Sequence, residues 1–498
     1  MPVIALATAL LLAAPTPPQS APQTTPPDAA QLPDGAAPTT NAPPLTGEGD
    51  RGSAVDPAAA FSSGNREARP ADQSKTPTGF GRFQRDNPIG KELRALKQGG
   101  VDLTLDYVEN FAANPVGGIS HGTAESHWVM GAADLDLYKL VGIPNTKVHI
   151  QGAWFTGESL GRNSIGNSIS FQQTWRPVSG PRLTQLNIEH DFGKLNVMVG
   201  RAAVNSYFNS SPLNCVFMSN TACLTAYGGI SDIGITAYPN SSWAAKVRYA
   251  VNDRWYAQVG AFDYNNDLNL KGKDGVDFSL GEGTGVLVPA EIGYQTTFAN
   301  DRLPRRYKLG FYYNSDGGQS PFYDRNGGSA ALTGLARIAQ QPGSRMGWYA
   351  MVDQTVQRDA GDSKRNLALF GRVFLNTGNV AQLDWFGSAG FVKTGTFGGR
   401  DNDTVGFLVS NTHFSDQEIA YLRDLRARNG GTGAPKVDEI VGEINYGFAA
   451  LPGLRLMPNL QYVINPDPIN APKRTTDIPA AIVLGLRVDV HFAQLFGG

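Results

Sequence analysis

The chain is poor in the features that mark most soluble enzymes and most helical membrane proteins. Among 498 residues there are two cysteines and six histidines, and acidic and basic residues nearly cancel, 44 against 42. Such a balance leaves no basic footprint for a nucleic-acid partner. Past residue 15, no apolar run approaches the roughly 18–20 residues that a membrane-spanning helix needs, so a helical bundle in lipid is excluded. There is no GxSxG elbow for a Ser–His mechanism. The histidines (His121, His127, His149, His190, His413 and His491) are scattered, without the spacing of a helical metal motif. Carboxylates abound, yet nothing singles out a glycosidase pair. No catalytic group, cofactor or metal site is therefore expected.

The two cysteines, Cys215 and Cys223, fall in one loop-like segment. In an oxidising compartment they can close a small loop as a disulfide, the alternative being two free thiols. A pair alone does not make a metal site.

What is present points elsewhere. There are 58 glycines, aromatics make up 10% and hydrophobic residues 41%, yet mean hydropathy is −0.25. A closed barrel reconciles these values, because its strands carry apolar residues only at every second position. The run VIALATALLLAA at 3–14 has the length of a secretory signal core and is too short to span a bilayer. Residues 1–21 are read as a signal peptide and 22–78 as a disordered periplasmic segment rich in Pro, Ala and Thr. Residues 79–498 are read as the barrel. A short amphipathic helix near 89–98 (IGKELRALKQ) is stopped by Gly99 and Gly100.

From Val101 onward the period is two. In VDLTLDY, Val101, Leu103, Leu105 and Tyr107 oppose Asp102, Thr104 and Asp106. The same alternation runs through KVHIQGAW, WAAKVRYAV, LALFGRVFL, LRLMPNLQYVI and IVLGLRVDVHF. Strands of about 9–11 residues suit a tilted crossing. Aromatics near strand ends, among them Tyr107, Trp128, Trp154, Trp243 and Trp255, suit interface girdles. Short connections alternate with long ones near 202–230, 264–288, 314–345 and 412–437, the rhythm of periplasmic turns and extracellular loops. The expectation is a transmembrane antiparallel β-barrel of sixteen strands in a Gram-negative outer membrane. The segments 169–175 and 233–238 are the weakest strand candidates.

Three segments then carry a resemblance. LNIEHDFGKLNVMVGRAAVNSYFNSSPLNCVF, YPNSSWAAKVRYAVNDRWYAQVGAFDYNND and EINYGFAALPGLRLMPNLQYVINP with the later VLGLRVDVHF resemble the carbohydrate-selective porins of the OprB family, over about 88–492. The resemblance implies sixteen strands, passage of glucose or other small sugars, and an eyelet narrowed by inward-folded loops and lined by arginines with an acidic partner. The Pro-rich arm departs from that pattern, and so does AQLFGG after Phe492, which puts the end of the last strand in doubt.

A sugar pore needs polar groups that exchange hydrogen bonds without holding the solute, whereas a ring of one charge sign selects ions. Parity places Lys246, Arg248, Arg372, Arg455 and Arg487 inward as donors. It places Asp102, Asp106, Asp134, Asp136, Glu189, Glu291, Asp384, Glu443 and Asp489 inward as acceptors. The bland alternative is that most of these only solvate a wide lumen.

Arg201, which the resemblance highlights, falls by parity on the lipid face, where a charge costs on the order of 2–4 kcal/mol near the midplane. The expectation is a strand end or bulge that turns Arg201 into the lumen, with Asn205 and 206–209 entering a constricting loop. Tyr207, Phe208, Phe217 and Tyr227 are either a surface for sugar rings or packing for the loop. Expected partners are small sugars and outer-membrane lipid, with peptidoglycan or a periplasmic protein as a docking partner for the arm. The alternatives are a general diffusion porin, a barrel hydrolase and an envelope docking protein.

Overall fold

In the computed structural model, the described residues are 78–498 except 178, 224–231, 236–237, 266–273, 280–284, 299, 341, 344, 360–363 and 379. The signal peptide expected over 1–21, the Pro-rich arm expected over 22–78 except its last residue, Thr78, and Tyr227 lie outside them.

Two helices precede the sheet: α1 (Thr78–Asp86), which the sequence reading missed, and α2 (Pro88–Gln98). The side chain of Asn87 caps α2 by accepting from Ile89 N and Gly90 N, and Pro88 occupies the first turn, where its missing N–H costs nothing. Both helices pack on a C-terminal helix, α3 (Phe492–Phe496). Gln84 donates to Gln494 O at 2.7 Å, Arg94 donates to Gly497 O, and the Phe83 and Phe496 rings lie 6.3 Å apart.

Sixteen antiparallel strands close into one barrel. They are β1 (Val101–Val116), β2 (Gly122–Asp136), β3 (Thr146–Gly157), β4 (Gly180–Phe192), β5 (Leu195–Ala202), β6 (Ser242–Ala250), β7 (Trp255–Tyr264), β8 (Gly285–Gln295) and β9 (Arg305–Asn314). After a small hairpin, β10 (Gln319–Asp324) with β11 (Arg337–Ala339), come β12 (Arg345–Arg358), β13 (Asn366–Asn376), β14 (Leu383–Thr394) and β15 (Thr404–Phe414). The last are β16 (Asp438–Leu451), β17 (Leu454–Ile464) and β18 (Ala481–His491). Closure is β1 on β18, from Asp106 opposite His491 to Val116 opposite Ile482. It removes both sheet edges, which lipid would leave without hydrogen bonds. Strand β18 stops at His491, so Phe492 begins α3 instead of ending the sheet.

The period of two decides the faces. Leu367, Leu369, Val373 and Leu375 are partly or fully exposed on the outer wall, while Ala368, Phe370, Arg372 and Phe374 are buried in the lumen. Short turns, such as 193–194 and 452–453, share one end with α1–α3, and the long connections share the other, as periplasmic and extracellular ends do.

The two weakest strand candidates are not strands. Residues 169–175 lie in the connection 158–179, and the described part of 233–238 lies in the connection 203–241. Both connections enter the barrel and pack on each other, Gln173 N donating to Met218 O at 2.9 Å and Asn220 N to Ser170 O at 3.1 Å. Their apolar residues face a lumen wall, not lipid, and so imitate a strand pattern.

Candidate functional site

The described part of the loop 203–241 crosses the lumen, and named wall residues hold it. On one side, Asn209 N donates to the Glu291 carboxylate at 3.2 Å, and Ser211 Oγ to Asp353 at 2.6 Å. Opposite, Met218 N and Ser219 N donate to the two oxygens of Glu443 at 2.9 and 2.8 Å. Arg487 donates to Cys215 O and Phe217 O at 3.3 and 3.2 Å, and its Nε to Asp489 at 2.7 Å. Arg372 donates to Thr221 O at 2.7 Å. Farther along, Asp232 accepts from Gln382 N and Leu383 N at 2.8 and 2.9 Å, and burial pushes its carboxyl up to about 7. Asn205 ties the loop to itself, accepting from Tyr238 N at 2.9 Å.

Tyr207, Phe208 and Phe217 are fully buried. Phe208 packs edge-on to Phe262 with centroids 6.1 Å apart, and Phe217 lies 5.5 Å from Phe370. Of the two readings for these aromatics, the structure has the packing one, worth roughly 1.5–3 kcal/mol for each buried ring.

A second set of groups lines the wall from β4 to β12. Lys246 Nζ sits 3.7 Å from Glu189 and 4.4 Å over the Tyr207 ring. The guanidinium of Arg248 lies 3.7 Å over Tyr256. Glu291 is the hub: Tyr256 OH and Gln258 Nε2 each donate to it at 2.8 Å, Tyr349 OH donates to it, and Lys308 Nζ stands 3.8 Å away. The rings of Tyr256 and Tyr349 lie flat over glycines of the next strand. A Cβ at Gly293 or Gly310 would fall 2.2 or 2.1 Å from them. Tyr256, Gln258, Lys308, Tyr349 and Asp353 were not singled out from the sequence. Their signal, polar or aromatic residues on the inward parity beside glycine, was present but not distinctive.

Other candidates have different places. Asp106 meets His491 at 2.8 Å, and Asp134 meets His149 at 2.6 Å. Arg455 donates to Thr404 Oγ1 at 3.0 Å and to Asn402 O at 3.2 Å. Asp136 caps the helical turn at Leu137–Val141, accepting from Tyr138 N and Lys139 N. Asp384 is not in the lumen: the pairing slips between Leu383 and Trp385, and the residue is exposed at the barrel rim. Trp128 is not in a girdle either; it faces inward, 4% exposed. Cys215 is disulfide-bonded, and the side chain of the only other cysteine in the sequence, Cys223, lies outside the described residues.

Arg201 corrects the expectation most sharply. Its strand pairs without a slip, Leu186 on one side and Trp243 on the other, so it keeps the outward parity. It is buried because 277–278 covers it from outside: Arg201 donates to Asp277 O at 2.5 Å and to Ser241 O at 2.6 Å, with its guanidinium 5.3 Å from the Phe278 ring. Phe278 in turn packs on the outward Trp243. Carbonyls and a ring, not a bulge, make the charge tolerable.

The closed barrel of sixteen strands agrees with the comparisons. Residues 120–492 match the family described as carbohydrate-selective porin, OprB family. The chain belongs to the OprB family. Porin B of Pseudomonas aeruginosa is 30% identical over 421 residues, which is 81% of this chain and 90% of that protein. The putative porin QuiX of Acinetobacter baylyi is 25% identical, over 81% and 92% of the two chains. Among solved structures, the high-pH structure of Pseudomonas putida OprB superposes with a TM-score of 0.73 at 28% identity, covering 81% of this chain and 97% of that one. As an OprB porin the chain is a Gram-negative outer-membrane channel for sugar diffusion, not an enzyme.

Proposed function

We propose that small neutral sugars, glucose among them, pass along the wall formed by β6–β9 and β12, where cations, carboxylates and aromatic rings alternate. The observation that carries this reading is the row Lys246, Arg248, Lys308 set against Glu189 and Glu291, with the rings of Tyr256 and Tyr349 between them. Both signs on one wall keep the net field small, so a neutral hydroxylated solute exchanges one set of hydrogen bonds for another, while an ion meets an opposing charge within a few ångströms. Arg248, already flat on Tyr256, presents its outer donors in a fixed plane. Arg372, Arg487 and Glu443 act through the loop: they hold the backbone that narrows the passage.

Liposome swelling and single-channel recording test the reading. Glucose should swell proteoliposomes faster than an amino acid of similar size, and added sugar should reduce a small ionic current. Large currents indifferent to sugar would make this a general diffusion pore.

A further inference from the structure

The outer wall of the barrel holds a cluster that the sugar pathway does not use. Glu109, Glu125 and His127 all lie on the outward parity of the β1–β2 hairpin, in a row with exposed Leu105, Phe111 and Val129. Glu109 pairs directly with His127, and on its other side with Val488, within the apolar outward row from Ile482 to Val490. Other outward carboxylates among the described strand residues, Asp263, Asp384 and Asp438, sit at or next to strand ends. This trio stands in the body of the wall, where ionisable side chains are costly unless partnered.

The three side chains converge. One ligand atom of each lies within 4.8 Å of the other two. His127 Nδ1 contacts Glu125 Oε1 and stands 4.0 Å from Glu109 Oε2. Tyr107 OH donates to the same Glu109 oxygen, as an outer partner that orients a ligand does. Two carboxylates and a neutral imidazole are the ligand set of an open three-residue zinc-type site, and a divalent ion would cancel both charges at that depth. Space for a fourth ligand exists beside it: Glu125 also borders an outer-wall groove of about 750 Å³, with Phe111, Thr123, Glu158 and Leu486.

We propose that Glu109, Glu125 and His127 bind one divalent transition-metal cation of the zinc type on the lipid-facing wall. The full chain, refolded in detergent and stripped with chelator, would be titrated with Co²⁺ and then with Zn²⁺ in competition. The visible bands of low-coordinate Co²⁺ report the geometry. Expected are one equivalent bound, bleaching of the bands by Zn²⁺, and affinity lowered by more than about 100-fold in H127A, beyond the loss of an outer partner. E109Q/E125Q, which keeps the side-chain volumes, should behave alike, and heat-modifiable mobility confirms that each variant is a folded barrel. A folded wild-type barrel without Co²⁺ bands, or with bands unchanged in both variants, overturns the proposal. So do cross-linked oligomers that E109Q/E125Q dissociates without any metal effect, since a second copy would then cover the cluster.

Discussion

Glu443 and Arg487 grip one stretch of loop backbone by opposite polarities: the carboxylate accepts from Met218 N and Ser219 N, and the guanidinium donates to Cys215 O and Phe217 O. A backbone held at its amides and its carbonyls from two strands resists rotation as well as displacement. Hydrogen bonds to charged groups contribute roughly 1.5–3 kcal/mol each. We therefore expect E443Q to speed amide exchange at 215–219 and to raise single-channel conductance and its noise. Unchanged exchange would show that the loop is held elsewhere.

Arg248 lies on the Tyr256 ring beside the Glu291 hub. Its contact with the ring is worth roughly 0.5–1 kcal/mol, so R248A should lower glucose flux about two- to fivefold. It should also shift residual ion selectivity toward cations, because Glu291 loses a nearby opposite charge. Reversal potentials in a salt gradient and swelling rates on the same preparation measure the two effects.

Asp232 anchors the loop to 382–383, with Arg345 and Glu418 the charged groups near it. Its carboxyl, raised to about 7 by burial, keeps its proton in the folded state at pH values where the unfolded chain has lost it. The contribution to stability is thus full below about pH 4 and is lost as pH rises through 7. Once the pH dependence of intrinsic amide exchange is divided out, protection around 382–383 should fall between about pH 4 and 7 in the wild type and stay flat in D232N. An equal slope in both would assign the effect to another group.

Cys215 is disulfide-bonded beside the carbonyls that Arg487 holds. Digestion without reduction should yield a peptide joining Cys215 to Cys223, and reduction should make the loop cleavable by protease. A free Cys223 found by alkylation would disprove the pairing.

Arg201 holds 277–278 against the outer wall, away from the lumen. R201A should leave the ratio of glucose to amino-acid swelling unchanged while exchange at 274–278 rises. A changed ratio would return Arg201 to the permeation pathway.

The alternation of apolar and polar residues was enough to determine the barrel and its faces, because a strand's side chains alternate by geometry and lipid accepts no open sheet edge; it left the count between sixteen and eighteen, which the closed sheet decides as sixteen. The same parity put Lys246, Arg248, Arg372, Arg455 and Arg487 inside. Read two residues past Tyr107, it also puts Glu109 on the lipid face, a violation that only the pairing with His127 makes meaningful. What parity lacks is distance between strands. Whether Arg372 and Arg487 meet a sugar or a loop carbonyl depends on where 203–241 crosses the lumen, and that path is set by packing between residues hundreds apart in sequence. Arg201 shows the same limit from outside: its strand position was legible, but the cover of 277–278 that makes its burial tolerable belongs to the tertiary structure alone.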